Sequence, residues 1–125
     1  MIFGIGTDII EVKRMEKHLD GNEALKKKLF TKGEQEYSEK GKVTVWQRYA
    51  ARFAAKEAFF KALGTGYRYG MAFHEIEVKN DELGKPFVEP HGKVKDYLKD
   101  QKVTEIHLTI SHVKEMASAF VVLEK

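Results

Sequence analysis

Cysteine is absent from the chain, which excludes a disulfide framework, a thiolate metal site and a cysteine nucleophile, and which suits a reducing compartment. Long apolar runs are also missing: no stretch approaches the roughly 20 residues that cross a bilayer. The opening Met1-Ile2-Phe3-Gly4-Ile5-Gly6 lacks the basic leader, apolar stretch and small-residue cleavage site of a signal peptide, so the expected location is the cytoplasm, with no membrane partner. Neither an internal repeat, a low-complexity tract nor a linker breaks the sequence, and its 125 residues are read as one domain spanning 1–125. Charge of one sign is in mild excess only, 22 basic against 19 acidic residues, a bias that suits anionic partners without naming one. With 42% hydrophobic and 33% charged residues, the composition is that of an ordinary globular protein and not of a disordered chain.

The segment Ile2 to Ile10 is rich in β-branched residues and alternates, with Gly4, Gly6 and Asp8 on one face and Phe3, Ile5, Thr7 and Ile9 on the other; it reads as a buried strand. From Glu11 the spacing becomes helical, since Val12, Met15 and Leu19 recur on one face and Lys13, Arg14, Lys17 and His18 occupy the polar side. Ala24 to Phe30 continues as basic helix or helical turn, Thr31-Lys32-Gly33-Glu34 offers a turn whose Thr31 caps the next helix with Glu34 three residues on, and Glu34 to Lys42 is weakly patterned. The longest predicted helix runs from about Val45 to Leu63, closed by Gly64 as a left-handed cap. Beyond it, His74 to Lys79 and Pro86 to Glu89 predict a hairpin, His91 to Lys99 a short helix, and Glu105 to Ser111 and Ala117 to Leu123 two further strands. The class is α+β, helices packed on an antiparallel sheet.

On a 100° helical projection of the long helix, Trp46, Ala50, Phe53, Glu57, Phe60 and Lys61 share a face, while Arg48, Arg52 and Lys56 lie opposite. Glu57 then falls inside the apolar stripe, where a carboxylate is costly unless paired or metal-bound. A Glu57–Lys61 pair at i, i+4 is one explanation. Asp8 likewise has a structural alternative, because Asp8-Ile9-Ile10-Glu11 has the form of a capping box. The functional alternative places Asp8, beside glycines that leave room for a ligand, with Glu57 on one cation. Two hard oxygen ligands suit magnesium, which completes its shell with water and substrate phosphates, and Lys61 one turn on suits the same phosphate. Ser111-His112 does not form a hydrolytic dyad, since neighbours on a strand point to opposite faces. Gly64-Thr65-Gly66 is not followed by the lysine-serine or lysine-threonine of a P-loop.

Taken together, Gly4-Ile5-Gly6-Thr7-Asp8-Ile9, Arg52-Phe53-Ala54-Ala55-Lys56-Glu57-Ala58, Gly64-Thr65-Gly66, Gly84-Lys85-Pro86 and Thr109-Ile110-Ser111-His112 resemble the holo-acyl-carrier-protein synthases of the 4′-phosphopantetheinyl transferase family, in order and spacing along nearly the whole chain. Thr109 departs from the family's more frequent serine while keeping a hydroxyl. The resemblance implies a transferase that moves phosphopantetheine from coenzyme A to a serine of an acyl carrier protein, in support of fatty acid biosynthesis. It also implies a homotrimer with active sites between neighbouring subunits. Asp8 and Glu57 match the family's magnesium ligands and Lys61 its downstream lysine. By similarity, Arg52, Lys61, Gly64, Thr65, Gly84, Lys85, Pro86, Ser111 and His112 are the expected coenzyme A contacts. An acidic carrier protein would dock on Lys13, Arg14 and Lys17. The general base is left among a bound water, Glu57 and an acidic residue near Asp8.

Two rival functions are weaker. A basic nucleic-acid-binding module accounts for Lys26-Lys27-Lys28 but leaves Asp8 and Glu57 without purpose, and no aromatic-basic signature of an RNA-reading sheet is present. A broader-specificity phosphopantetheinyl transferase would, by the same resemblance, be about twice as long.

Overall fold

Segments from the two ends of the chain meet in one antiparallel sheet, seen in a computed structural model that describes residues 1–125. Strand β1 (Ile2–Glu11) pairs with β5 (Met116–Glu124), and β5 pairs with β4 (Glu105–His112), giving the order β1-β5-β4. A separate hairpin joins β2 (Ile76–Asn80) to β3 (Pro86–Pro90). Between β1 and the hairpin lie α1 (Val12–Leu19), α2 (Glu23–Leu29), α3 (Lys32–Glu39) and α4 (Val45–Leu63); α5 (Gly92–Asp100) follows β3. The expected α+β class and most element positions hold.

Helix α4 lies across the sheet and touches both parts of the core. Its Ala54, Ala58, Phe59 and Leu63 pack with Val121 and Leu123 of β5, Val78 of β2 and Val94 and Leu98 of α5. Toward its start, Tyr49, Ala50 and Ala51 pack with Val12, Met15 and Leu19 of α1 and with Leu29 and Phe30. Gly64 ends it in the left-handed conformation at φ 77°, its N–H donating to the Phe60 carbonyl at 3.0 Å, as the sequence predicts.

Two expectations are corrected, and a third is borne out along a stretch that reads as weakly patterned. The first concerns β1, where the glycines make room for a helix and not for a ligand: a Cβ on Gly4 would stand 1.9 Å from the Ala62 carbonyl oxygen, and one on Gly6 2.0 Å from that of Ala58. The glycine face therefore turns inward, and the branched Ile5 and Ile9 on the opposite face are 58% and 62% exposed.

The second concerns α4, which has no polar side of the expected kind. Small alanines let structure close around it, so Arg52 and Lys56 are buried, while Phe53, Glu57 and Lys61 form its most accessible line. The Lys56 ammonium donates to Glu34 Oε1 at 2.7 Å and to the carbonyls of Ile76 and Phe73 at 2.6 and 3.0 Å, so all three donors are used. Burial pulls the Lys56 pKa down and the Glu34 carboxylate opposes that pull.

The helix expected to start at the Thr31 cap is present as α3, running through the weakly patterned stretch to Glu39. Its capping box is formed in both directions, Thr31 Oγ1 accepting from the Glu34 N–H at 3.1 Å and Glu34 Oε1 accepting from the Thr31 N–H at 2.9 Å. Inward-facing Glu34 and Ser38 are polar and buried, which hides the helical period from a hydrophobicity reading.

Candidate functional site

The close approach of β1 to α4 sets Asp8 beside Lys61, whose ammonium donates to Asp8 Oδ1 at 2.9 Å and to the Thr7 carbonyl at 3.1 Å. Asp8 makes no helix cap: the cap position of α1 is Glu11, which bonds nothing with its side chain. Glu57 does not pair with Lys61 either. Its carboxylate accepts instead from the Tyr67 hydroxyl, at 3.1 Å to Oε1 and 3.3 Å to Oε2. Both structural alternatives raised for these carboxylates are therefore set aside.

Asp8, Glu57 and Lys61 face one cleft of about 760 Å³ between β1, α1, α2 and α4. Arg14 and His18 of α1 line it as well, and Met15, Leu29 and Phe53 supply apolar wall. Burial raises the Glu57 pKa; the Tyr67 hydrogen bond and Lys61 oppose the rise, and the Asp8 charge adds to it. The cleft holds two carboxylates and one ammonium that pairs with Asp8 alone, a donor set of hard oxygens with unmet negative charge. That is the chemistry a magnesium ion fits, keeping several waters and taking up substrate phosphate oxygens.

The other expected residues divide by position. Gly64 and Gly66, at φ 77° and 62°, turn the chain over the end of α4, and both line a hollow with Glu57, Lys61 and Tyr67; Thr65 lies between them. Arg52 is elsewhere. Its guanidinium donates to Asn80 Oδ1 at 2.7 Å and lies 3.8 Å from the Tyr37 ring centre, leaving Nε buried without a partner, and burial lowers its pKa. Asn80 Nδ2 in turn donates to the Gly84 carbonyl at 2.9 Å, so Arg52 and the Gly84-Lys85-Pro86 segment, exposed at Gly84 and Lys85 and half-buried at Pro86 where β3 begins, form a second group. Ser111 and His112 end β4, both exposed. Within one chain the cleft gathers Asp8, Glu57 and Lys61, with Gly64 and Thr65 alongside; it does not gather Arg52, Lys85, Pro86, Ser111 or His112.

Tyr67 is the site residue that sequence reasoning missed. Its signal was an aromatic residue immediately after a Gly-X-Gly reversal, ten positions beyond Glu57. A further polar cluster, Glu77, Glu89 and His91 on the β2–β3 hairpin, is satisfied internally. Glu77 accepts from Thr31 Oγ1 at 2.8 Å and pairs with His91 Nε2 at 2.7 Å, while Glu89 pairs with Lys79 at 2.7 Å.

Comparison with known proteins agrees with the resemblance. Residues 4–121 match the family model of the 4′-phosphopantetheinyl transferase superfamily. A holo-[acyl-carrier-protein] synthase of Geobacter metallireducens is 46% identical over 100% of this chain and 99% of its own length, and one of Trichlorobacter lovleyi is 47% identical over 99% and 98%. Among solved structures, the holo-[acyl-carrier-protein] synthase of Neisseria meningitidis superposes with a TM-score of 0.89 at 36% identity, covering 100% of both chains. That of Bacillus anthracis, in complex with CoA (3′,5′-ADP), gives 0.81 at 41% identity over 98% of this chain and 96% of that one. With the match running from β1 into β5 and relatives aligned end to end, the chain belongs to the 4′-phosphopantetheinyl transferase superfamily.

Proposed function

We propose that the chain acts as a single-domain holo-acyl-carrier-protein synthase, transferring 4′-phosphopantetheine from coenzyme A to a serine of apo acyl carrier protein and releasing adenosine 3′,5′-bisphosphate. The observation that carries this reading is the convergence of Asp8, Glu57 and Lys61 on one cleft from β1 and α4, in a chain whose relatives bear that name. Asp8 and Glu57 would hold the magnesium ion, whose chemistry is to neutralise the pyrophosphate and polarise its oxygens. Lys61 donates two of its three protons, to Asp8 and to the Thr7 carbonyl, leaving the third for a phosphate oxygen. The serine oxygen forms a bond to the β-phosphorus as the bond to the bisphosphate leaving group breaks, and the serine proton passes to solvent or a nearby carboxylate. The protein's contribution is position and preorganised charge.

Two features support assembly of several copies, which the family resemblance makes a homotrimer. An outer sheet face bears exposed Ile5, Ile9 and Phe120, an apolar surface suited to a neighbouring copy. The Arg52 and Gly84-Lys85-Pro86 group, with Ser111 and His112, stands away from Asp8, as expected if each complete coenzyme A site takes its parts from two subunits. Lys13, Arg14 and Lys17 are exposed on α1, and Arg14 lines the cleft itself, which suits docking of an acidic carrier. No helix is long and apolar enough to cross a membrane; we place the enzyme in the cytoplasm, serving fatty acid biosynthesis.

The test is incubation with coenzyme A, magnesium and apo carrier protein, followed by intact mass measurement of the carrier. The expected result is the mass gain of one phosphopantetheine, lost in Asp8→Ala and Glu57→Ala variants that keep their circular dichroism. No gain with folded, unsubstituted protein would overturn the reading.

A further inference from the structure

The Gly64-Thr65-Gly66 reversal has a consequence apart from phosphate binding. By turning the chain with two residues at positive φ, it lays Tyr67 back along the last turns of α4. There the ring packs edge-on against Phe60, centroids 5.2 Å apart, and tilted against Phe73 at 5.0 Å. Held in this way, the phenol hydroxyl reaches both oxygens of Glu57, at 3.1 and 3.3 Å. No other hydrogen-bond donor reaches that carboxylate, since the nearby ammonium of Lys61 is committed to Asp8 and Thr7. Tyr67 is 59% exposed, so water is available to its hydroxyl and burial does not force the contact; ring packing and loop geometry select it.

We infer that Tyr67 is a positioning residue, which fixes the rotamer of Glu57 through its hydroxyl and so sets the carboxylate for a divalent cation shared with Asp8. The inference rests on the magnesium reading of the cleft. A free glutamate has three side-chain torsions to lose on binding a metal. A carboxylate already held by a hydroxyl proton loses less, it keeps lone pairs to spare, and Glu57 still lines the cleft with Asp8. Hydrogen-bond partners behind ligating carboxylates contribute about 10–100-fold to metal affinity in other sites. Thr65, bonded through its hydroxyl to the Gly66 carbonyl at 3.1 Å, stiffens the turn that delivers the tyrosine.

The test is Tyr67→Phe, which keeps the ring against Phe60 and Phe73 and removes only the hydroxyl. Mn2+, a spectroscopic substitute for magnesium, is titrated in the presence of coenzyme A and the free ion is followed by electron paramagnetic resonance, with Asp8→Ala as the non-binding reference. Mn2+ affinity is expected to fall about tenfold or more, with melting temperature unchanged and transfer recovered as metal is raised. If the unsubstituted chain binds Mn2+ and Tyr67→Phe binds it equally, the positioning role is wrong and the metal reading stands. A raised Michaelis constant for coenzyme A at unchanged Mn2+ affinity would overturn the inference in favour of substrate contact. If the unsubstituted chain binds no Mn2+, the metal reading fails and this inference fails with it.

Discussion

Replacing Gly6 with alanine tests whether the approach of β1 to α4 sets the geometry of the cleft. The new Cβ would stand 2.0 Å from the Ala58 carbonyl oxygen and 2.7 Å from the Ala62 nitrogen. These are backbone atoms of a helix enclosed on most sides, so the strand must give way. Restoring an ordinary van der Waals gap of roughly 3.4 Å shifts β1 by more than about 1 Å. Overpacking of this kind costs about 1–3 kcal/mol, which for a chain of this size lowers the melting temperature by about 4–11 °C. The effect on transfer should be larger in proportion. Asp8 lies two residues beyond Gly6 on the strand and Glu57 one residue before Ala58 on the helix, so the shift opens the gap between the two carboxylates, and a misplacement of ~1 Å costs on the order of 100-fold in rate. Thermal circular dichroism and initial rates by intact carrier mass measure the two effects. Gly21→Ala is the control, because nothing lies within 4 Å of its Cβ and its positive φ alone costs about 1–2 kcal/mol with no effect on rate. An unchanged melting temperature in Gly6→Ala would refute the steric argument; a rate equal to that of Gly21→Ala would refute the link from strand position to catalysis.

Three further outcomes are expected. Lys56→Met leaves Glu34 buried without its ammonium partner and should lose about 3–5 kcal/mol in urea denaturation, with partial recovery when Glu34→Gln is added; a loss under about 1 kcal/mol would mean the pair is dispensable. Arg14→Glu should raise the Michaelis constant for the carrier and leave that for coenzyme A unchanged, an effect that shrinks as salt rises; equal carrier constants at low salt would move docking elsewhere. Burial pushes the Glu77 pKa up, but hydrogen bonds from His91 and Thr31 outweigh it and hold the carboxyl below its ordinary 4.5. Its contribution to stability is therefore present above that pH and lost as pH falls through the depressed folded value, so urea midpoints measured down to acid pH should converge with those of Glu77→Gln, and parallel curves would contradict the shift.

How far the sequence reveals this molecule depends on whether a contact is local. Helix α4 with its Gly64 cap, the hairpin around residues 81–85 and the β4–β5 return follow from period and turn chemistry, because their causes lie within a few residues. Helix α3 is legible at its Thr31 cap but not in its period, because Glu34 and Ser38 are buried polar residues, and the partners of Glu34, Lys56 and the Val78 N–H among them, lie far along the chain. The same distance misled the projection of α4: Lys56 reads as a solvent-facing cation until Glu34, Phe73 and Ile76 are brought around it. Asp8, Glu57 and Lys61 are legible through their motifs, and the fold adds their geometry. Tyr67 is not, because its approach to Glu57 depends on the positive φ angles of Gly64 and Gly66. Nor does one chain unite Arg52 with Asp8, a relation that the proposed assembly would supply.

Lys56 and Glu57 are neighbours in sequence with opposite duties. One side chain ties α4 to its scaffold through three hydrogen bonds, and the next looks into the cleft. Since each residue turns a helix by about 100°, inserting one residue upstream within α4 would swing the Lys56 ammonium to the cleft-facing position, and deleting one would swing the Glu57 carboxylate into the space beside Glu34. Natural drift and library design in this stretch are thus confined to substitutions at fixed length, whereas the exposed turn at residues 81–85 offers a place where length itself can vary.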